Sequence, residues 1–244
     1  MKPIDKKISK NRLQVFLSHS GVCSRRRALE LILNGHVSVN GQVVHEPSTP
    51  VDKDKDKVYL DGKLIETKTH TYILLNKPKG VMTTVADKYA EKTVVDFLPQ
   101  EYKHLYPVGR LDKDTEGLLL MTNDGDVAYK LTHPKFNVDK TYVVEIDKRL
   151  RDHDRFRLEK RVKLEDGMTA PSKIQNVRFL NEKTIFDITI HEGRKRQIRR
   201  MMEVLGYRVV ALRRIQQGPL ALENVELGSW RFLTPKEISS LKKL

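Results

Sequence analysis

A single cysteine, Cys23, excludes an internal disulfide and any cysteine-rich zinc site, so nothing in the sequence asks for an oxidising compartment. No stretch approaches the roughly 18 apolar residues of a membrane span. The basic N-terminus MKPIDKKISK lacks the apolar core of a secretory signal. A cytoplasmic protein without membrane contact is expected. The histidines never fall in an H-x-x-x-H spacing, and no glycine-rich phosphate loop of standard spacing occurs. Repeats, low-complexity tracts and coiled-coil heptads are also missing, and a monomer is expected.

Positive charge is what the chain has in excess. Its 46 Lys and Arg outnumber 32 Asp and Glu, for a formal net charge of +14. Such an excess speaks to partners, most commonly a polyanion, rather than to fold. The charge is clustered: residues 191–214 (HEGRKRQIRRMMEVLGYRVVALRR) hold eight Lys/Arg against two Glu, and SRRR at 24–27 is a second knot. Clustering favours nucleic acid over a generically solvated basic surface.

Hydrophobic residues make up 39% of the chain, enough for a packed core. The first ten residues, short, polar and basic, are expected to be disordered. In NRLQVFLSHSG, Leu13, Phe16 and Leu17 have helical spacing. In SRRRALELILNG, Ser24 is placed to cap a helix burying Ala28, Leu31 and Ile32, with Gly35 just past its end. HVSVNGQVV reads as a hairpin turning at Asn40-Gly41, and another strand pair surrounds Asp61-Gly62. The pattern changes after ETKTH, which predicts a small domain over 11–68 and a larger one over 71–244.

The larger part reads as α+β. TYILLNKPKG and GLLLMTNDG are buried strands, KTYVVEI, APSKIQNVRFL and KTIFDITIHEG are further strands, and DVAYKLTHP and LRDHDRFRLEKRV are helices. KTVVDFLP is a short helix or turn. RKRQIRRMMEVLGY is an amphipathic helix with Ile198, Met201, Met202 and Leu205 on one face and Gly206 at its end. Several strands in succession favour a mixed or largely antiparallel sheet.

The stretch GRLDKDTEGLLLMTNDG (109–125) carries the question of function. Asp112, Asp114, Glu116 and Gly117 match the first positions of a calcium loop, but Asn123 stands where a bidentate Glu is needed, and the apolar Leu118–Met121 belongs in a core. No metal site is expected. Asp112 instead lies between Arg110-Leu111 and a buried strand, where its backbone would be rigidly held at a sheet end.

This stretch resembles the catalytic motif of RNA pseudouridine synthases, in the branch acting on ribosomal RNA that includes RsuA and RluB. LLNKPKG (74–80), KTYVV (140–144) and EGRKRQIRR (192–200) agree in order, and the N-terminal module resembles the RNA-binding domain of the ribosomal-protein S-four type. The resemblance covers residues 11 to 235 and implies an α+β chain: that small domain followed by a mixed or antiparallel-sheet catalytic domain. It implies an isomerase that detaches uracil from its ribose and rejoins it through carbon 5, without cofactor or metal.

By the same resemblance Asp112 is the catalytic carboxylate, Tyr142 stacks on the flipped base, and Arg199 pairs with the aspartate. Charge spacing alone leaves phosphate binding open for Arg199. Arg110 holds the extruded nucleotide out, a step costing a few kcal/mol. Lys77, Lys79, Lys140, Arg194, Lys195 and Arg196 are expected to contact phosphates, and Arg25, Arg26 and Arg27 to anchor a neighbouring rRNA helix. The implied partner is ribosomal RNA or a ribosomal precursor particle. The 191–220 region looks closer to the RluB kind, which implies a large-subunit target near the peptidyl-transferase centre. A small-subunit enzyme and a non-catalytic assembly factor are the alternatives.

Overall fold

Two kinds of strand sequence build two kinds of sheet environment in this protein. The computed structural model describes residues 11–53, 55–66, 69–85 and 91–244, in two compact units, Met1–His70 and Thr71–Leu244. The basic tail expected to be disordered lies outside the described residues.

In the first unit, β1 (Asn11–Arg12) runs into α1 (Leu13–His19), followed by α2 (Arg25–Leu33), β2 (Val37–Val39), β3 (Gln42–Val43), β4 (Pro50–Val51), β5 (Val58–Leu60) and β6 (Lys63–Leu64). Ser24 Oγ accepts the Arg27 amide at 3.2 Å and so satisfies one of the free N–H groups that open α2. The two helices bury Leu13, Phe16, Leu17, Ala28, Leu31 and Ile32 against Val37, Val51 and Val58. The strands pair antiparallel in the order β3-β2-β5-β6, and β1 pairs with β4. Arg25, Arg26 and Arg27 all stand exposed on the first turn of α2.

The second unit contains β7 (Tyr72–Lys77), β8 (Tyr106–Pro107), β9 (Glu116–Thr122), α3 (Gly125–Thr132), β10 (Lys140–Ile146), α4 (Asp152–Lys160), β11 (Lys163–Leu164) and β12 (Gly167–Met168). It continues through β13 (Lys173–Leu180), β14 (Lys183–Ile190), α5 (Gln197–Val204), β15 (Val209–Gln217), β16 (Leu220–Ala221), β17 (Trp230–Phe232) and α6 (Pro235–Lys242). The main sheet has nine strands; its path runs β13-β14-β10-β15-β9-β7-β17, with β16 beside β15 and β8 beside β9. All pairs are antiparallel except β15 with β9, which is parallel.

The apolar runs of β7 and β9 follow from their place in this sheet. Ile73, Leu75, Leu119 and Met121 face one core together with Ile198, Met201 and Met202 of α5 and Leu158 of α4. Tyr72, Leu74, Leu118 and Leu120 face a second core closed by Val127 and Leu131 of α3 and Leu241 of α6. A strand covered on both faces needs no alternation. In β10 and β14 burial alternates with partial exposure, since only one face meets the first core. α5 starts at Gln197, later than the periodicity suggested, because Arg196 takes a left-handed conformation (φ 51°) and ends the preceding loop.

Candidate active site

The loop 109–115 connects β8 to β9, and the segment after β7 grips it from beneath. Thr83 Oγ1 donates to the Leu111 carbonyl at 2.7 Å and accepts the Leu111 amide at 3.3 Å. The Gly80 amide donates to the Lys113 carbonyl at 2.9 Å. Lys77 is fully buried, and its ammonium donates to the carbonyls of Pro78 (3.0 Å), Asp112 (3.2 Å), Lys113 (3.4 Å) and Thr115 (3.0 Å). One cation therefore gathers the backbone on both sides of Asp112 and fixes where that residue points. The Leu111 side chain is buried beside it, while the Asp112 carboxylate reaches a cleft.

That cleft, about 550 Å³, is large enough for a nucleotide. Asp112 and Tyr142 line it, with Leu212, Ile190 and Ile198 as apolar wall. Among the described residues the Asp112 carboxylate forms no ion pair or hydrogen bond, so it is available to a substrate. Tyr142 lies on β10, paired with Arg214 of β15, and β15 in turn pairs Arg214 with Gly117 at the start of β9. The sheet thus brings the aspartate loop, the tyrosine and the arginine to one end of three neighbouring strands. Six cations line the cleft (Arg110, Lys140, Arg194, Lys195, Arg196 and Arg214) against two carboxylates, Asp112 and Glu192. Fields of one sign in a concave site favour a polyanion.

Several residues named from the sequence meet here, and several do other work. Arg110, Lys195 and Arg196 are exposed on the cleft, as phosphate or nucleotide contacts require. Lys140 is half-buried and donates to the carbonyls of Val138 and His191, both at 3.1 Å; burial, with Arg214 nearby, depresses its pKa. Lys79 lies outside the cleft lining, half-exposed and 4.0 Å from Glu116.

The geometry corrects three expectations. Lys77 cannot meet a phosphate, because the carbonyl cage encloses it completely. Arg194 lines the cleft, but its guanidinium is spent on Glu192, Asp166 and the carbonyls of Gly167 and Met168, locking the β11–β12 hairpin to the loop before α5. Arg199 makes no direct ion pair with Asp112. Its guanidinium donates to the carbonyls of Asp114 (3.0 Å) and Val209 (3.3 Å), and at 8% exposure it is equally closed to phosphate. Burial and the neighbouring Arg196 lower its pKa against the opposing pull of Asp114 and Asp112, and its contact with the aspartate loop is to backbone. Conversely, Arg214 and Gln217 were not singled out from the sequence. Their signal was a break in the alternation of ALRRIQQ.

Burial also draws the Lys77 pKa down to about 8, against the pull of Asp112, Asp114 and Glu116. Between pH 8 and the unfolded value near 10.4, the folded state binds fewer protons at this site. Its contribution to stability therefore rises with pH across that window. The loop loses its clamp in the same window, since a neutral amine keeps only two N–H donors. We expect kcat to fall above pH 8 with a midpoint near 8. In Lys77→Met that midpoint should vanish, with kcat already down by about 10²-fold, the cost of an ångström-scale misplacement. A pH–rate profile of both proteins checks this.

Comparison with known proteins agrees with this architecture. Residues 71–204 match the family described as RNA pseudouridylate synthase, and residues 11–58 match the S4 domain. The chain is 44% identical over 236 residues to ribosomal large subunit pseudouridine synthase B of Bacillus subtilis (strain 168), covering 96% of each chain. It is 38% identical over 233 residues to an uncharacterized RNA pseudouridine synthase of Aquifex aeolicus (strain VF5), covering 95% of this chain and 94% of that one. A crystal structure of a pseudouridylate synthase superposes with a TM-score of 0.68 at 31% identity, covering 94% of this chain and 99% of the other. With a carboxylate and a tyrosine lining one cationic cleft, and an S4 domain ahead of it in the sequence, the chain belongs to the RNA pseudouridylate synthase family of isomerases.

Proposed function

We propose that this protein converts a specific uridine of large-subunit ribosomal RNA to pseudouridine in the cytoplasm, acting as a monomer, with Asp112 as the catalytic carboxylate. The observation that carries the reading is an unpartnered carboxylate, held by a backbone clamp, in a cationic cleft shared with Tyr142. The large-subunit target rests on the likeness to the Bacillus subtilis enzyme, which spans nearly the whole of both chains. Among the described residues no helix is long and apolar enough to cross a membrane, and the buried apolar side chains fall into three cores.

The reaction breaks the N1–C1′ bond, turns the uracil and forms a C5–C1′ bond; the C5 proton leaves and N1 gains one. A carboxylate at the sugar–base junction serves as nucleophile or as base on the ribose. Tyr142 offers its ring to the extruded base, and Arg110 stands at the cleft where the base left the stack. Lys195 and Arg196 are free to take flanking phosphates. Arg25, Arg26 and Arg27 of the first unit would grip a neighbouring rRNA helix by its backbone, which sets position without reading sequence.

Tritium release from carbon 5 of labelled uridine, measured on one transcript from each subunit's rRNA, tests the reading. Release from the large-subunit transcript alone is expected. Release only from the small-subunit transcript would move the target. No release from either, with RNA binding intact, would leave a non-catalytic assembly role or a precursor particle as substrate.

A further inference from the structure

Two polar side chains at the back of the cleft have buried atoms that nothing in the protein satisfies. Gln217 is 1% exposed, lines the cleft, and has neither its Oε1 nor its Nε2 hydrogen-bonded. Arg214, 2% exposed, donates through Nε to the Leu118 carbonyl at 2.8 Å and leaves Nη2 buried without an acceptor. Burying such groups unpaired is costly, and a fold that keeps them beside a reaction centre is storing donors and acceptors for a ligand.

A bulge explains how both reach the same cavity. Residues 214 and 217 are three apart and would point to opposite faces of a regular strand. Between Thr141 and Tyr142 the register of β10 on β15 slips, so Thr141 pairs with Gln216 but Tyr142 with Arg214. Ile215 is the extra residue. Gln217 then lies opposite Lys140 and Arg214 opposite Tyr142, on the one face that lines the cleft.

We infer that Gln217, together with Arg214, reads the imide edge of the flipped uracil and sets the enzyme's specificity for that base. This rests on the pseudouridine synthase reading and goes beyond it. Uracil presents acceptor, donor, acceptor along O2, N3–H and O4. A primary amide supplies one acceptor and one donor, and a guanidinium supplies only donors. The pair therefore offers donor, acceptor, donor, the complement of that edge. Cytosine presents acceptor, acceptor, donor, and its amino group would meet a guanidinium that cannot accept. With no partner to hold it, the Gln217 amide turns toward a bound base without breaking any hydrogen bond.

The test uses the full chain and a synthetic RNA hairpin carrying the uridine mapped in the transcript assay. Gln217→Met keeps the length and removes the amide. It should lower kcat/KM by 10- to 100-fold and raise Tm by about 2–4 °C, because an unsatisfied buried amide is lost. A purely structural glutamine would give the reverse on Tm. A hairpin with 3-methyluridine at the target should be turned over at least 100-fold more slowly by the wild type, and that penalty should shrink in the variant. Turnover by Gln217→Met within twofold of wild type, or a lowered Tm, overturns the inference. So does full-rate turnover of the methylated hairpin by the wild type, which needs no variant to fold. Failure of the wild type on the unmodified hairpin instead overturns the target reading, and this inference with it.

Discussion

Asp112→Asn is expected to bind RNA as the wild type does and to lose tritium release by at least about 10³-fold, equivalent to about 4 kcal/mol of transition-state stabilisation. The substitution is isosteric and touches no contact the fold depends on. Lys77 and the Thr115 amide hold the Asp112 carbonyl, which asparagine retains, and the side chain itself has no hydrogen bond or ion pair among the described residues. What changes is the charge and the lone pairs facing the cleft. An amide neither attacks carbon nor takes a proton at neutral pH, so the loss falls on kcat and hardly on binding. Tm should move by no more than about 2 °C, as for a substitution worth about 0.5 kcal/mol in a chain of this size. Asp114→Asn is the matched control, since that residue is exposed and lies outside the cleft lining, and it should keep activity within a few-fold. Normal release by Asp112→Asn would remove the aspartate from the mechanism.

The second large effect is structural. Gly117 has φ +106°, and a Cβ placed there would be driven into the Arg214 carbonyl oxygen and lie 2.8 Å from the Arg214 amide nitrogen. This is the point where β9 and β15 meet in parallel, and it is also where the aspartate loop is held against the arginine paired with Tyr142. Gly117→Ala cannot be absorbed by a flexible side chain, because both clashing atoms are backbone. Adding conformational strain of about 1–3 kcal/mol to the displaced pairing, we expect a loss of about 3–5 kcal/mol and a fall in Tm of about 10 °C. Activity should be lost even at temperatures where the variant is folded. Gly80→Ala separates the two causes: its φ is +82° but nothing lies within 4 Å of the added methyl. It should cost only about 1–2 kcal/mol. Equal melting temperatures for the two variants would show that the close approach at Gly117 contributes nothing.

Local sequence carried those parts of the molecule whose cause is local. Ser24 caps the helix it was expected to cap because capping involves residues three apart. LLLM is a doubly covered strand, KTIFDITI a half-covered one, and each pattern records the number of faces that meet a core. Asp112, Tyr142 and Arg110 were found through ordered motifs, and the fold sets all three around one cleft.

The site's supporting residues were another matter. Lys77 reads as a surface cation because a lysine gives no sign of burial; its four carbonyl partners include three that lie 35 to 38 positions away. Arg194 and Arg199 sit in a basic run that looks uniform in sequence, yet Arg194 grips the β11–β12 hairpin and Arg199 the aspartate loop, while Lys195 and Arg196 stay open. Gln217 faces the cleft only because β15 bulges at Ile215 against β10. By itself the sequence determined the elements, the two-part layout, the excess of positive charge and the family, since composition, short-range periodicity and motif order carry these. Only the tertiary structure decided which cations stay open on the cleft and which hold backbone, and which polar groups are buried there unpaired. Those outcomes depend on burial and on contacts between segments far apart in the chain, where the same residue type takes opposite roles according to what packs over it.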